Sequence, residues 1–165
     1  MPDPTQPPAK RQPPKTLTIT HNATPQTQGS MRTYRGRITH TNPRLAGYRD
    51  GLTYTARSAA ARAGWATRDT PVTVDLTVYL ARPKGHTTRA GSRSAAWTAY
   101  PARLRTGDLD KHLRATLDAL TAAGIWVDDS RVTHITAAKA WADTRSPGVL
   151  VVVTDTPPDP VTSPL

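Results

Sequence analysis

The sequence predicts an α+β fold, a mixed β-sheet with two main helices packed on it. Val72, Val74, Leu76, Val78 and Leu80 alternate with Thr73, Asp75, Thr77 and Tyr79, a period of two that buries one face of a strand. Gly148-Val149-Leu150-Val151-Val152-Val153 is a β-branched run typical of a buried strand. Two other stretches, Pro43 to Gly64 and about Asp110 to Gly124, place apolar residues at helical spacing instead. At 165 residues the chain is long enough for one core and too short for two comfortable ones.

The first 14 residues carry Pro2, Pro4, Pro7, Pro8, Pro13 and Pro14, which interrupt any helix or ladder and predict a flexible, disordered arm. The far end, from Pro157, reads the same way, so the predicted domain is 15–155 with a disordered tail over 156–165. Thr16-Leu17-Thr18-Ile19-Thr20 alternates as a short strand. Pro25 to Arg37 reads as a polar loop holding Arg32, Arg35 and Arg37; it either approaches a phosphate backbone or is a solvated connection. Along Pro43 to Gly64, Leu45, Tyr48, Leu52, Thr55 and Ala59 mark the packed face, and Gly64 is the stop. Pro83 ends the strand at 72–80, since proline cannot continue an interior ladder.

Arg82 to Arg105 then carries Arg82, Lys84, Arg89, Arg93, Arg103 and Arg105 with no acid, and Trp97 and Tyr100 lie among them. Long loops in compact domains tend to be functional, and a basic, aromatic-dotted one suits a clamp on a polyphosphate strand. The plain alternative is a solvated loop whose Trp97 packs on the domain. Val132 to Trp141 has strand character, and Asp143 to Gly148 reads as a hairpin turn into the last strand.

The 22 Lys and Arg against 12 Asp and Glu give a formal charge of +10, a balance that points to a polyanion and most directly to nucleic acid. Absence of cysteine excludes disulfides and thiolate metal sites. No apolar run approaches the ~20 residues of a membrane span, and no apolar leader follows Met1, so the expected setting is the cytoplasm, away from membranes.

Against that basic background an acidic cluster is conspicuous. Asp108 and Asp110 flank the start of the second helix, and Asp128-Asp129 follows just after Gly124 ends it. Leu109, Leu113, Thr116, Leu117 and Leu120 form the helix's apolar stripe. Aspartate is a common cap at a helix start, which accounts for the first pair alone. Asp118 lies about 12 Å along the axis from Asp110 at ~1.5 Å per residue, and is expected to pair with Arg114 at i,i+4. A tight return through Ile125 to Val127 would bring Asp128 or Asp129 beside the first turn, where three carboxylates would hold one or two Mg²⁺ ions for an in-line phosphoryl displacement. Arg114, one turn from Asp110, would neutralise charge on the phosphate. His21, His40, His86, His112 and His134 show no metal-ligand spacing.

Gly107-Asp108-Leu109-Asp110-Lys111, Leu117-Asp118-Ala119-Leu120, then Trp126-Val127-Asp128-Asp129-Ser130-Arg131-Val132 and Lys139 closely resemble the RusA family of Holliday junction resolvases. Arg82-Pro83-Lys84 after a strand, Pro25 through Arg32 after the first strand, and Gly148-Val149 before the last agree with it. The resemblance covers about residues 16–154. It implies a small α+β homodimer, often encoded by phages and prophages, that resolves branched DNA at four-way junctions by paired Mg²⁺-dependent nicks, with Mn²⁺ as a substitute. The family's essential acids fall on Asp108, Asp110 and Asp129, the implied metal ligands. Arg114 stands where the family usually has lysine, and Lys111 where it commonly has asparagine. With Arg114 the catalytic set is Asp108, Asp110, Asp129 and Arg114, and the DNA-binding set is Arg32, Arg35, Arg82, Lys84, Arg89, Arg93, Arg103, Arg105, Lys111 and Lys139. The departures leave a second reading open, a branch-binding protein weak or inactive in cleavage, and a third, a basic nucleic-acid module whose aspartates only cap and pair.

Overall fold

A computed structural model describes residues 15–29, 42–156 and the backbone of 31–34 and 37–40. The main sheet has four strands: β1 (Thr16–His21), β4 (Val72–Leu80), β5 (Val132–Trp141) and β6 (Gly148–Asp155). Their order is β1-β6-β4-β5, antiparallel except for the parallel β4–β5 pair. Two helices, α1 (Leu45–Ala63) and α2 (Leu109–Ala123), complete the α+β fold that the sequence predicts. The polar stretch read as a loop contains a small hairpin, β2 (Met31–Tyr34) with β3 (Arg37–His40). Its Arg-Thr-Tyr and Arg-Ile-Thr segments are too short and too polar for their alternation to stand out. The predicted arm, 1–14, and the predicted tail, 156–165, lie outside the described residues except for Thr156, whose amide donates to the Pro71 carbonyl (3.0 Å).

Central β4 buries Val72, Val74, Leu76, Val78 and Leu80 as the alternation requires, beside Val149, Val151 and Val153 of the paired β6 in one core with the helices. The segment after Asp143 is not a hairpin turn. β4 lies between β5 and β6, so the chain steps across the end of β4 to reach its other side. Helix α1 buries Leu45, Tyr48, Leu52, Ala56 and Ala59. Thr55 instead stands partly exposed, its hydroxyl bonded to the Gly51 carbonyl (2.9 Å) and facing His21 Nδ1 (3.0 Å).

Helix α2 sits rotated from the predicted stripe. It buries His112, Ala115, Thr116, Ala119 and Leu120, while Leu113 and Leu117 are only partly covered. Small residues let the helix approach its neighbours closely, and the leucines close the flank. The two helices are tied by Thr53 Oγ1 to the Ala119 carbonyl (3.1 Å), by Arg57 to the Ala122 carbonyl (2.7 Å), and by Arg49 to Asp118 (3.4 Å). Asp118 therefore pairs across to α1 and not with Arg114.

The ends of α2 are fixed separately. At its C-terminus Gly124 takes a left-handed conformation, φ 75°, and the chain returns through Ile125 and Trp126, the latter bridged to Arg68. A single 3₁₀ turn at Asp129–Arg131 follows and packs on α2, with Arg131 paired to Asp69 at 2.8 Å. β5 then runs back along the helix, and Lys139 near its end donates to the Gly107 carbonyl (2.7 Å) beside the start of α2.

Candidate active site

The N-terminal end of α2 is built on a tight approach. Gly107 has φ 74° and ψ 160°, a backbone region essentially reserved for glycine. A Cβ there would lie 2.4 Å from Thr27 Cγ2 and 3.0 Å from His112 Nε2. Buried His112 places Nε2 2.8 Å from the Thr106 carbonyl and donates to it. Lys139 Nζ reaches both the Gly107 carbonyl and Thr106 Oγ1 (3.2 Å), and the Gln28 amide donates to the Lys111 carbonyl (3.1 Å). The turn that presents Asp108 is thus held from the loop after β1, from β5 and from within α2.

Asp108 is the residue before α2, yet its carboxylate makes no capping bond. It lies 2.6 Å from Lys111 Nζ. That hydrogen bond and charge, with Lys139 and His112 adding to the field, hold Asp108 below the usual carboxylate range, and Asp108 in turn raises Lys111. Burial pushes His112 below its ordinary value of 6.5, against the opposing pull of its hydrogen bond to the Thr106 carbonyl. Asp110 is exposed in the first turn, and among the described residues neither it nor Arg114 enters an ion pair.

Asp129 is elsewhere. Helix α2 has 15 residues, about 22 Å at ~1.5 Å per residue, and the 3₁₀ turn carrying Asp129 packs near its other end. The expected return beside the first turn does not occur within one chain. The Trp126–Arg68 bridge and the pairing of Val132 with Val72 commit the chain to the far end of the sheet. Asp128 closes the turn there, accepting from the Ser130 amide at 2.9 Å. Among the described residues no three His, Asp or Glu groups gather as a metal-ligand cluster. Asp108 and Asp110 do supply exposed hard oxygen donors of the kind Mg²⁺ and Mn²⁺ accept. Within one chain Asp108 and Asp110 stand at the same end of α2 and Asp129 follows the other end.

The basic loop is anchored as well as charged. Arg82 bonds both Asp143 oxygens (2.6 and 2.7 Å) and the Thr98 carbonyl (2.8 Å), and lies over the rings of Trp97 and Trp141 at 5.2 and 5.1 Å. Its donors and faces are engaged inside the protein, where Arg82 pins the loop. His86 is buried beside it, edge-on to Trp141. Arg93 covers the other part of Trp97 (3.9 Å), and Arg103 donates to the Ala96 carbonyl (2.9 Å). Lys84, Arg89, Arg93, Arg103 and Arg105 are exposed, and none forms an ion pair among the described residues. Lys111 and Lys139 border Asp108. Arg32 lies in β2, where only backbone is described, and Arg35 lies outside the described residues.

Thr106, Gly107, His112 and Asp143 carry this architecture, and of these the sequence marks only Gly107, as the first residue of the motif. Gly107 had a usable signal, a glycine immediately before the first aspartate. The others depend on contacts far apart in sequence.

The chain matches the family model for endodeoxyribonuclease RusA over residues 21–154. It belongs to the RusA family of endodeoxyribonucleases, which act on Holliday junctions. No curated protein matches it. Among the described residues no helix is long and apolar enough to cross a membrane.

Proposed function

We propose that this chain is a divalent-metal-dependent endodeoxyribonuclease that resolves four-way DNA junctions by paired phosphodiester hydrolysis, and that its active centres are shared between two copies of a homodimer. The observation that carries the reading is the placement of Asp108 and Asp110 at one end of α2 and Asp129 at the other. β5 runs antiparallel to α2, and its outer edge is unpaired in the sheet. Thr133, His134, Ile135 and Thr136 on it are exposed. A two-fold axis near the middle of that strand brings the start of one β5 beside the end of the other. Asp129 of the partner subunit then comes toward Lys139, Asp108 and Asp110.

In that arrangement Asp108, Asp110 and Asp129 of the partner subunit would hold Mg²⁺, or Mn²⁺ in its place. The metal when bound supplies the charge that activates water and steadies the oxygens of an in-line displacement. The chain's own residues do the rest. Lys111 and Lys139 keep Asp108 ionised, and Lys139 fixes the turn through the Gly107 carbonyl. Arg114 projects from the exposed side of α2, one turn beyond Asp110, and there offsets negative charge building on the phosphate. Exposed Lys84, Arg89, Arg93, Arg103 and Arg105 attract the flanking backbone. The work is cytoplasmic and needs no membrane.

Two inactive variants mixed together test the sharing. Asp110→Asn and Asp129→Asn homodimers should each fail to nick a synthetic four-way junction. Heterodimers would carry one intact centre and one doubly defective centre, so mixing should restore single nicks but not paired ones. Continued inactivity of verified heterodimers would mean that each chain forms its own site.

A second reading has its own support. Lys111 holds Asp108 at 2.6 Å, and Arg114 replaces the lysine expected from the family, an exchange that keeps charge but cannot readily supply a proton. A branched-DNA-binding protein with weak or no cleavage follows from these two features. A gel shift without nicks at any Mg²⁺ or Mn²⁺ concentration would favour it.

A further inference from the structure

Leu104 is 96% exposed, the most exposed large apolar side chain among the described residues, and it sits between Arg103 and Arg105 four positions before Asp108. Single exposed leucines are ordinary, but this one stands on a fixed backbone. It opens a single 3₁₀ turn, Leu104–Thr106, closed by the Thr106 amide on the Arg103 carbonyl (2.9 Å) and the Gly107 amide on the Leu104 carbonyl (3.3 Å). The Thr106 hydroxyl donates back to Pro101 (2.7 Å), His112 holds the Thr106 carbonyl (2.8 Å), and Lys139 grips Thr106 and Gly107. Arg103 is itself braced on the Ala96 carbonyl (2.9 Å). An open groove of about 830 Å³ begins at the same turn, walled by Leu80, Pro83 and Trp141.

We propose that Leu104 is a wedge that enters the base stack at the branch point, with Arg103 and Arg105 on the adjoining phosphates and the groove receiving the base it displaces. This rests on the junction-cleaving function proposed above and adds a residue that selects the substrate. The chemistry follows from the placement. An apolar side chain on a fixed turn between two cations has no favourable contact to make with phosphate and gains only where it can leave water among base faces. A continuous duplex must be unstacked to admit it, whereas at a four-way junction the stack is already interrupted. The wedge therefore penalises duplex relative to junction, and its position beside Asp108 ties strand opening to the site of hydrolysis.

The test uses the full chain, without Mg²⁺ so that nothing is cut, on a four-way junction and on a duplex, each carrying a fluorescent adenine analogue that brightens when unstacked. The wild type should brighten the analogue at the branch point and prefer junction over duplex. Leu104→Ala should lose the brightening and reduce that preference about ten-fold, the scale of one lost base contact, while duplex affinity stays unchanged. Leu104→Met, still apolar and long, should keep both signals. Unchanged brightening and preference in Leu104→Ala would overturn the wedge while leaving the nuclease reading intact. A fall of the Leu104→Ala protein to monomer mass in sedimentation would overturn it too, by assigning the side chain to the subunit contact. A wild type with no junction preference would instead sink the proposed function, and this inference with it.

Discussion

Replacing Gly107 by alanine should injure the protein in two separable ways. A residue with a Cβ at φ 74° and ψ 160° sits in a region that costs about 1–3 kcal/mol. The new methyl also lies 2.4 Å from Thr27 Cγ2 and 3.0 Å from His112 Nε2, and moving packed neighbours aside costs about 1–3 kcal/mol more. The sum, roughly 2–6 kcal/mol, is large against a total stability on the order of 5–15 kcal/mol. At roughly 2–4 °C per kcal/mol for a domain of this size, the Tm should fall by on the order of 10 °C.

Thermal melts followed by circular dichroism would measure it. Thr27→Ser removes the clashing methyl, so Gly107→Ala with Thr27→Ser should regain the packing part and keep the backbone part. Junction nicking should fall further than stability does, because Asp108 is the next residue. A Gly107→Ala protein melting within about 2 °C of wild type would refute the claim that this turn is held by sterics.

Lys111→Asn releases Asp108 from its 2.6 Å partner, so half-maximal nicking should come at lower Mg²⁺ than in the wild type, read from a metal titration. Chelation of all divalent metal should abolish nicking while leaving the gel shift. Arg82→Lys cannot reproduce the bonds to both Asp143 oxygens and Thr98; limited proteolysis should then cut between residues 84 and 105 sooner. Burial lowers His112 from 6.5, so the unfolded chain takes up a proton near pH 6.5 that the folded one refuses. Stability is therefore full above that pH and declines as pH falls toward the folded value. Urea melts of His112→Asn, compared with wild type at their own baselines, should show a smaller decline on acidification.

The sheet was legible because its signals are local. β4 alternates cleanly and β6 is nearly continuous Val, so both faces of the sheet announce themselves in short windows. Helix α2 was legible in position and not in rotation, because Leu113 and Leu117 outweigh Ala115 and Ala119 in any count of apolarity, although the alanines are the more fully buried. Asp108 and Asp110 declared themselves by spacing. The anchoring role of Arg82 was hidden for a related reason: its partner Asp143 lies 61 residues away. Nothing local distinguishes it from Arg89.

Asp129 is the most instructive case, because helix length decides it. A return loop can carry an acid back to a first turn only if the helix is short or the loop is free. Here α2 has 15 residues, and the loop is tied at once to Arg68 and then to β4 through Val132. If the three acids act together, the acid at the far end must serve a different copy. The same geometry then sets the distance between centres. In the proposed dimer a site would stand at either end of the paired β5 strands, the two separated by roughly one helix length, about 22 Å at ~1.5 Å per residue. Paired cuts placed symmetrically about the branch point would follow from one rigid spacer used twice. Lengthening α2 by a turn should then disturb pairing of the nicks more than the nicking itself.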